Sequence, residues 1–108
     1  MEKHYNKLVR DEIPRIIEES GSSCVTEILS EEACLEKLEE KLSEELAEYM
    51  QSKSLEELAD LLEVIYALVA ARGSTWQEVE QLRMEKKEKR GGFEKRIFLR
   101  TVEERNDG

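Results

Sequence analysis

One proline, five glycines and two cysteines are all that this 108-residue chain has to break or cross-link it, and aromatic residues make up only 6%. So few breakers leave room for long uninterrupted helices, and so few aromatics leave little to fill a β-sandwich core. Cys24 and Cys34 form no CxxC pair and His4 is the sole histidine, so neither a structural zinc site nor a disulfide framework is expected. Two unpatterned thiols suit the reducing cytosol, and the expected location is cytoplasmic. No apolar run approaches the roughly 18 residues of a membrane span. The N-terminus lacks the apolar core of a signal peptide, so no membrane partner is expected.

What the chain has in abundance is charge, 40% of residues against 39% hydrophobic, with 26 acids, 17 bases and a net charge of −9. That balance points to a mostly α fold with one wet face per helix, and the length suits one domain over residues 1–108. The acidic surplus would repel a phosphodiester backbone, so a nucleic-acid polymer is not an expected partner. The bases are unevenly placed, nine of the 17 lying between Arg83 and Arg105. An acidic body with a basic tail segment suits a metal site beside a small anionic substrate. The plainer account, charges that solvate an exposed helix, covers most of these residues.

Pro14 at a first helical position and Gly21 as a stop mark a first helix, with Ile13, Ile16 and Ile17 as its apolar edge. Cys24-Val25-Thr26 favours an extended strand, whose candidate partner is Arg96 to Leu99, making a small two-stranded element. Ser30 followed by Glu31 and Glu32 opens a second helix to about Met50, with Leu35, Leu38, Leu42, Leu46 and Tyr49 as one stripe. Ser54-Leu55-Glu56-Glu57 has capping-box spacing and opens a third helix that ends near Arg72 and Gly73. Thr75-Trp76-Gln77-Glu78 repeats the pattern for a fourth helix to about Arg90, closed by Gly91-Gly92. Phe93 to Leu99 reads as extended and the last residues as frayed.

The short turn between the second and third helices makes them antiparallel. About a pivot between Ser52 and Lys53, Glu48 falls level with Glu57 and Glu45 with Asp60. Glu45 and Glu48 stack one helical turn apart, as do Glu57 and Asp60. At 1.5 Å rise per residue the two levels are only ~4.5 Å apart. Four carboxylates so close repel one another unless a cation joins them, and hard oxygen ligands select Mg²⁺, with Mn²⁺ as a common substitute. Each acid also has a plainer reading. Glu57 is the third residue of a capping box, and Glu44 and Glu45 could be solvated surface acids. Asp60 is harder to place that way, because from Leu58 to Ala71 it shares only with Glu63 the charge of an otherwise apolar helix. Such a helix is expected to be buried on more than one side, and a buried charge must be paired or bound to metal.

On a helical wheel Leu58, Leu61, Leu62, Ile65 and Val69 share one face, expected to pack on the second helix through Leu38, Leu42 and Leu46. Val64, Ala67 and Ala71 fall on roughly the opposite face, with Asp60 towards it. The fourth helix, offering mainly Trp76, Val79 and Leu82, is too sparse to cover that second face. A second copy of the chain is the expected cover, in a four-helix arrangement, the rival being the N-terminal segment of the same chain.

The acids Glu44-Glu45-Leu46-Ala47-Glu48 and Glu57-Leu58-Ala59-Asp60 form an EExxE…ExxD pattern. It resembles the signature of the all-α nucleoside triphosphate pyrophosphohydrolases, which include MazG, dimeric dUTPases and phosphoribosyl-ATP pyrophosphohydrolase. Tyr5 to Pro14 resembles the YNKLVRDxIP stretch of a small bacterial and phage subgroup, and Lys89-Arg90-Gly91-Gly92-Phe93 its KRGGF ending. Eight residues lie between Glu48 and Glu57, a shorter interval than MazG-type members usually have. The resemblance implies a MazG-like helical bundle and cleavage of a nucleoside triphosphate to monophosphate and pyrophosphate, in clearing unwanted nucleotides. It implies Glu45, Glu48, Glu57 and Asp60 as Mg²⁺ ligands and Glu44 as a group to orient or deprotonate water. It also implies basic partners for phosphate, with Lys7, Arg10, Lys86, Lys89 and Arg90 as candidates, and assembly as a homodimer or homotetramer. Phosphoribosyl-ATP hydrolysis, and a helical dimer or regulatory module without turnover, remain alternatives.

Overall fold

A computed structural model describes residues 1–104, and every regular element among them is helical: α1 (Ile13–Glu19), α2 (Glu31–Ser52), α3 (Leu55–Ala71) and α4 (Trp76–Arg90). Part of the frayed end expected from the sequence, residues 105–108, lies outside the described residues. The chain divides into two compact units, Met1–Trp76 and a second from Gln77 onward. No described helix is long and apolar enough to cross a membrane.

The helix ends follow local chemistry. Ser30 Oγ accepts the Ala33 N–H at 3.2 Å, and Ser54 Oγ accepts that of Glu57 at 3.3 Å, each satisfying an otherwise open donor of a first turn. Gly21 and Gly73 sit at φ +96° and +77°, beyond the ends of α1 and α3. In both places paired bonds close the last turn, Ser22 N–H to Ile17 O and Gly21 N–H to Glu18 O, then Ser74 N–H to Val69 O and Gly73 N–H to Ala70 O. α2 runs two residues past its expected end because Lys53 takes the left-handed conformation (φ 57°) and donates to Tyr49 O at 2.7 Å.

Within the first unit, the packing between elements is that of α2 on α3. Arg72 Nη2 meets Glu39 Oε1 at 2.6 Å, tying the C-terminal end of α3 to the N-terminal half of α2, as an antiparallel pair requires. Leu38 and Val64 are the buried hydrophobic residues among those described. At 100° per residue, Val64 shares its face of α3 with Glu57, Asp60 and Leu68, and Leu38 shares its face of α2 with Glu45.

Two expectations are overturned. The face of α3 that meets α2 is the Val64 face and not the leucine-rich one. Leu58 and Leu62 remain 40% and 43% exposed, joined on that outer side by Leu55 and by Tyr66, which stacks on Trp76 with ring centroids 4.0 Å apart. An almost wholly apolar helix gives periodicity no contrast with which to choose a face, and Val64 is the residue of α3 that becomes buried. The second is the two-stranded element, which does not form: residues 22–29 and 96–99 contain no strand. Val25 and Ile28 are 102% and 98% exposed, and a lone pair of strands is marginal without a packed face.

Candidate metal centre

Facing one another across the hairpin, α2 and α3 present their acids on the same line as Leu38 and Val64. Glu45, Glu57 and Asp60 each offer a carboxylate oxygen, and the three oxygens lie within 4.8 Å of one another. Glu45 is the buried member, 8% exposed, while Glu57 and Asp60 are half-buried. Asp60 is thus not the buried charge expected from the apolar run around it. Glu48, expected as a fourth ligand, is exposed and outside the set of three, its charge felt at both Glu45 and Glu57.

The plainer reading of Glu57 as a cap is half right. Its N–H is capped by Ser54, but the Ser54 N–H donates to Ser52 Oγ at 3.2 Å, so the Glu57 carboxylate has no donor to reach back for. It turns into the cluster instead. Glu45 Oε2 and Glu57 Oε2 are the buried side-chain polar atoms without a hydrogen-bond partner among the described residues. A buried acceptor left in that state costs about 1–3 kcal/mol as a general rule, a cost that falls on Glu45, the buried one of the two residues.

Electrostatics agree with the geometry. Burial pushes the Glu45 carboxyl above its ordinary value, and Glu48 and Asp60 push it further against the pull of Lys41. Desolvation raises Glu57 as well, followed by the charges of Glu48 and Asp60. Two cations offset part of this excess. Lys41 Nζ lies 3.7 Å from Glu45 Oε1, one turn away on α2, and Arg10 Nη2 lies 2.9 Å from Asp60 Oδ1. Lys41 was missed in the sequence, although its i, i+4 spacing to Glu45 was there to be used.

The donor set fits Mg²⁺. Six oxygens at about 2.1 Å put opposite ligands ~4.2 Å apart, so carboxylates already within 4.8 Å need only small side-chain shifts to share an ion. Neither sulfur nor imidazole is among them, which suits a hard cation.

The other candidates are placed less tightly. Glu44 is exposed on α2 and is not part of the three-carboxylate set. Lys7 is exposed in the irregular N-terminal segment, where Asn6 is left-handed at φ 45°. In the second unit Lys86 and Arg90 line a hollow of about 630 Å³ with Arg83, Lys87, Gly91, Gly92 and Phe93, while Lys89 is exposed outside that lining. The chain matches no family model, curated protein or solved structure.

Proposed function

We propose that this chain is a Mg²⁺-dependent nucleoside triphosphate pyrophosphohydrolase, which adds water between the α- and β-phosphates and releases a nucleoside monophosphate and pyrophosphate. The observation that carries the proposal is the convergence of Glu45, Glu57 and Asp60 within 4.8 Å, with two buried oxygens lacking partners. The reaction class rests on the resemblance of the acidic pattern and of Tyr5–Pro14 to the all-α pyrophosphohydrolases. Glu45, Glu57 and Asp60 would hold the cation, with Glu48 as the fourth, solvent-facing ligand. When bound, Mg²⁺ neutralises phosphate oxygens and makes water easier to deprotonate. Glu44, one turn before Glu48, is the base we assign to that water, and its exposure leaves it open to solvent protons. Arg10, the basic candidate already in the cluster, supplies charge to the phosphates, with Lys7 of the same unit as the remaining candidate.

We further propose a homodimer or homotetramer built on the outer face of α3. Leu55, Leu58, Leu62 and Tyr66 line that face at 83%, 40%, 43% and 40% exposure. An apolar stripe of this kind calls for another apolar surface, and a second hairpin supplies one. Both cysteines are free thiols, in keeping with action in the cytoplasm.

The test is a panel of common and modified nucleoside triphosphates, with phosphoribosyl-ATP included, assayed for pyrophosphate with Mg²⁺ or with chelator. Mg²⁺-dependent pyrophosphate release from a nucleoside triphosphate is expected. Preference for phosphoribosyl-ATP would move the reading to that reaction, and absence of turnover across the panel would leave a binding module.

A further inference from the structure

Arg10 comes to the cluster from far away in the chain. Its partner Asp60 is 50 residues distant, and the pair joins the irregular N-terminal segment to α3. The backbone at Arg10 is fixed, its carbonyl accepting the Ile13 N–H at 3.1 Å where the chain turns into α1. The side chain is freer. The Arg10 and Asp60 side chains are 55% and 45% exposed, and an ion pair so wetted is held weakly. Lys41 differs, reaching Glu45 from within the same helix with a side chain only 20% exposed.

Exposure makes Arg10 the cation that can be displaced. The cluster holds four carboxylates and two cations, yet Glu45 Oε2 and Glu57 Oε2 stay without partners. Neither guanidinium nor ammonium reaches the buried side of the site. A divalent cation drawn there by Glu45 and Glu57 also needs the Asp60 carboxylate, which Arg10 already holds through Oδ1. Two positive groups on one carboxylate repel, and the doubly charged, compact ion has the stronger hold. Once displaced, a planar guanidinium at the rim of a cation site matches the oxygens of a phosphate in a paired, forked contact.

Building on the metal-centre reading above, we propose that Arg10 is the resident counter-ion of Asp60 in the metal-free protein, and that a divalent cation displaces it towards the phosphate oxygens of the substrate. Arg10 is then a positioning residue whose two partners are exclusive in time. Its removal has effects of opposite sign, which loss of an ordinary structural contact does not produce.

The experiment uses the full chain with Arg10→Gln and Arg10→Lys, each checked for helix content. Mn²⁺ alone is titrated calorimetrically into each protein, and inorganic pyrophosphate is then titrated at saturating Mg²⁺. Arg10→Gln is expected to bind Mn²⁺ about two- to fivefold more tightly, the range set by an exposed ion pair that no longer competes. The same variant is expected to bind pyrophosphate about tenfold more weakly, the scale of a lost charged hydrogen bond. Arg10→Lys should stay near wild type for Mn²⁺, because the competing charge remains. Mn²⁺ affinity unchanged or weakened in Arg10→Gln overturns the counter-ion role while leaving the metal centre standing. Unchanged pyrophosphate affinity overturns the transfer to phosphate. A wild-type chain that takes up no Mn²⁺ overturns the metal centre and this proposal together. In the wild type, the Arg10 side-chain NMR resonance should shift as Mg²⁺ saturates the site, and a resonance that stays put overturns displacement without recourse to any variant.

Discussion

Glu45→Gln should make the metal-free protein more stable, even though it alters one of the most buried side chains. Glu45 is 8% exposed, with Oε2 unpartnered, Asp60 and Glu57 oxygens within 4.8 Å, and Lys41 at 3.7 Å. Even at the dielectric constant of water, repulsion from Asp60 is about 0.9 kcal/mol and attraction to Lys41 about 1.1 kcal/mol. These two nearly cancel. What remains is the cost of a buried acceptor without a donor, about 1–3 kcal/mol, together with repulsion from Glu48 and Glu57. Glutamine keeps the shape, removes the charge and offers an amide N–H₂ to the neighbouring carboxylates. A gain of at least about 1 kcal/mol at neutral pH is expected, equal to a rise of roughly 4–8 °C in Tm for a domain of this size. The same variant should lose the stabilisation that millimolar Mg²⁺ gives the wild type, because the ion binds only the folded hairpin. Thermal melts followed by circular dichroism, with chelator and with Mg²⁺, measure both effects. A variant that melts below the wild type in chelator, or that keeps the full Mg²⁺ shift, would refute the reasoning.

The remaining predictions rest on the same geometry. Asp60→Asn or Glu48→Gln should abolish Mg²⁺-dependent pyrophosphate release while leaving the helix signal intact; turnover near the wild-type rate in either variant would remove that residue from the site. Glu45 and Glu57 both titrate above the ordinary glutamate value of 4.5, so between that value and their raised ones the folded state binds more protons than the unfolded state. Metal-free stability should therefore fall as pH rises through that window. Mg²⁺ affinity should rise over the same window, and melts and titrations showing the reverse trend would contradict the cause assigned. Leu62→Glu, on the outer face of α3, should give a folded single chain in sedimentation, whereas Ala67→Glu should destabilise the hairpin itself. An assembly indifferent to Leu62→Glu would place the interface elsewhere.

Much of the hairpin was legible because its determinants are local. Ser30 and Ser54 cap where their spacing to Ala33 and Glu57 says they should, and the antiparallel levels follow from the short turn. Symmetry about the Ser52–Lys53 pivot named four acids, of which Glu45, Glu57 and Asp60 come together while Glu48 stays exposed outside the set. The inward face of α3 was not legible, since residues 58–71 are apolar nearly all round and Val64 looks no different from Leu62. Nor was the depth of each acid. Asp60 stands out by its apolar neighbours in sequence, but Glu45, one of three glutamates within five residues, is the one that is buried. The Arg10–Asp60 pair joins residues too far apart for any local pattern to register. The supposed strand at residues 24–26 failed for a related reason: β propensity is an offer that a partner must accept.

The central claim is that Glu45, Glu57 and Asp60 share one divalent cation. Crystals of the chain soaked in Mn²⁺ test it most directly, through the anomalous scattering of the ion. The account predicts one strong peak between α2 and α3, within about 2.2 Å of an oxygen from each of the three carboxylates. The absence of a peak there at saturating Mn²⁺, or a strong peak held by other residues alone, would contradict it.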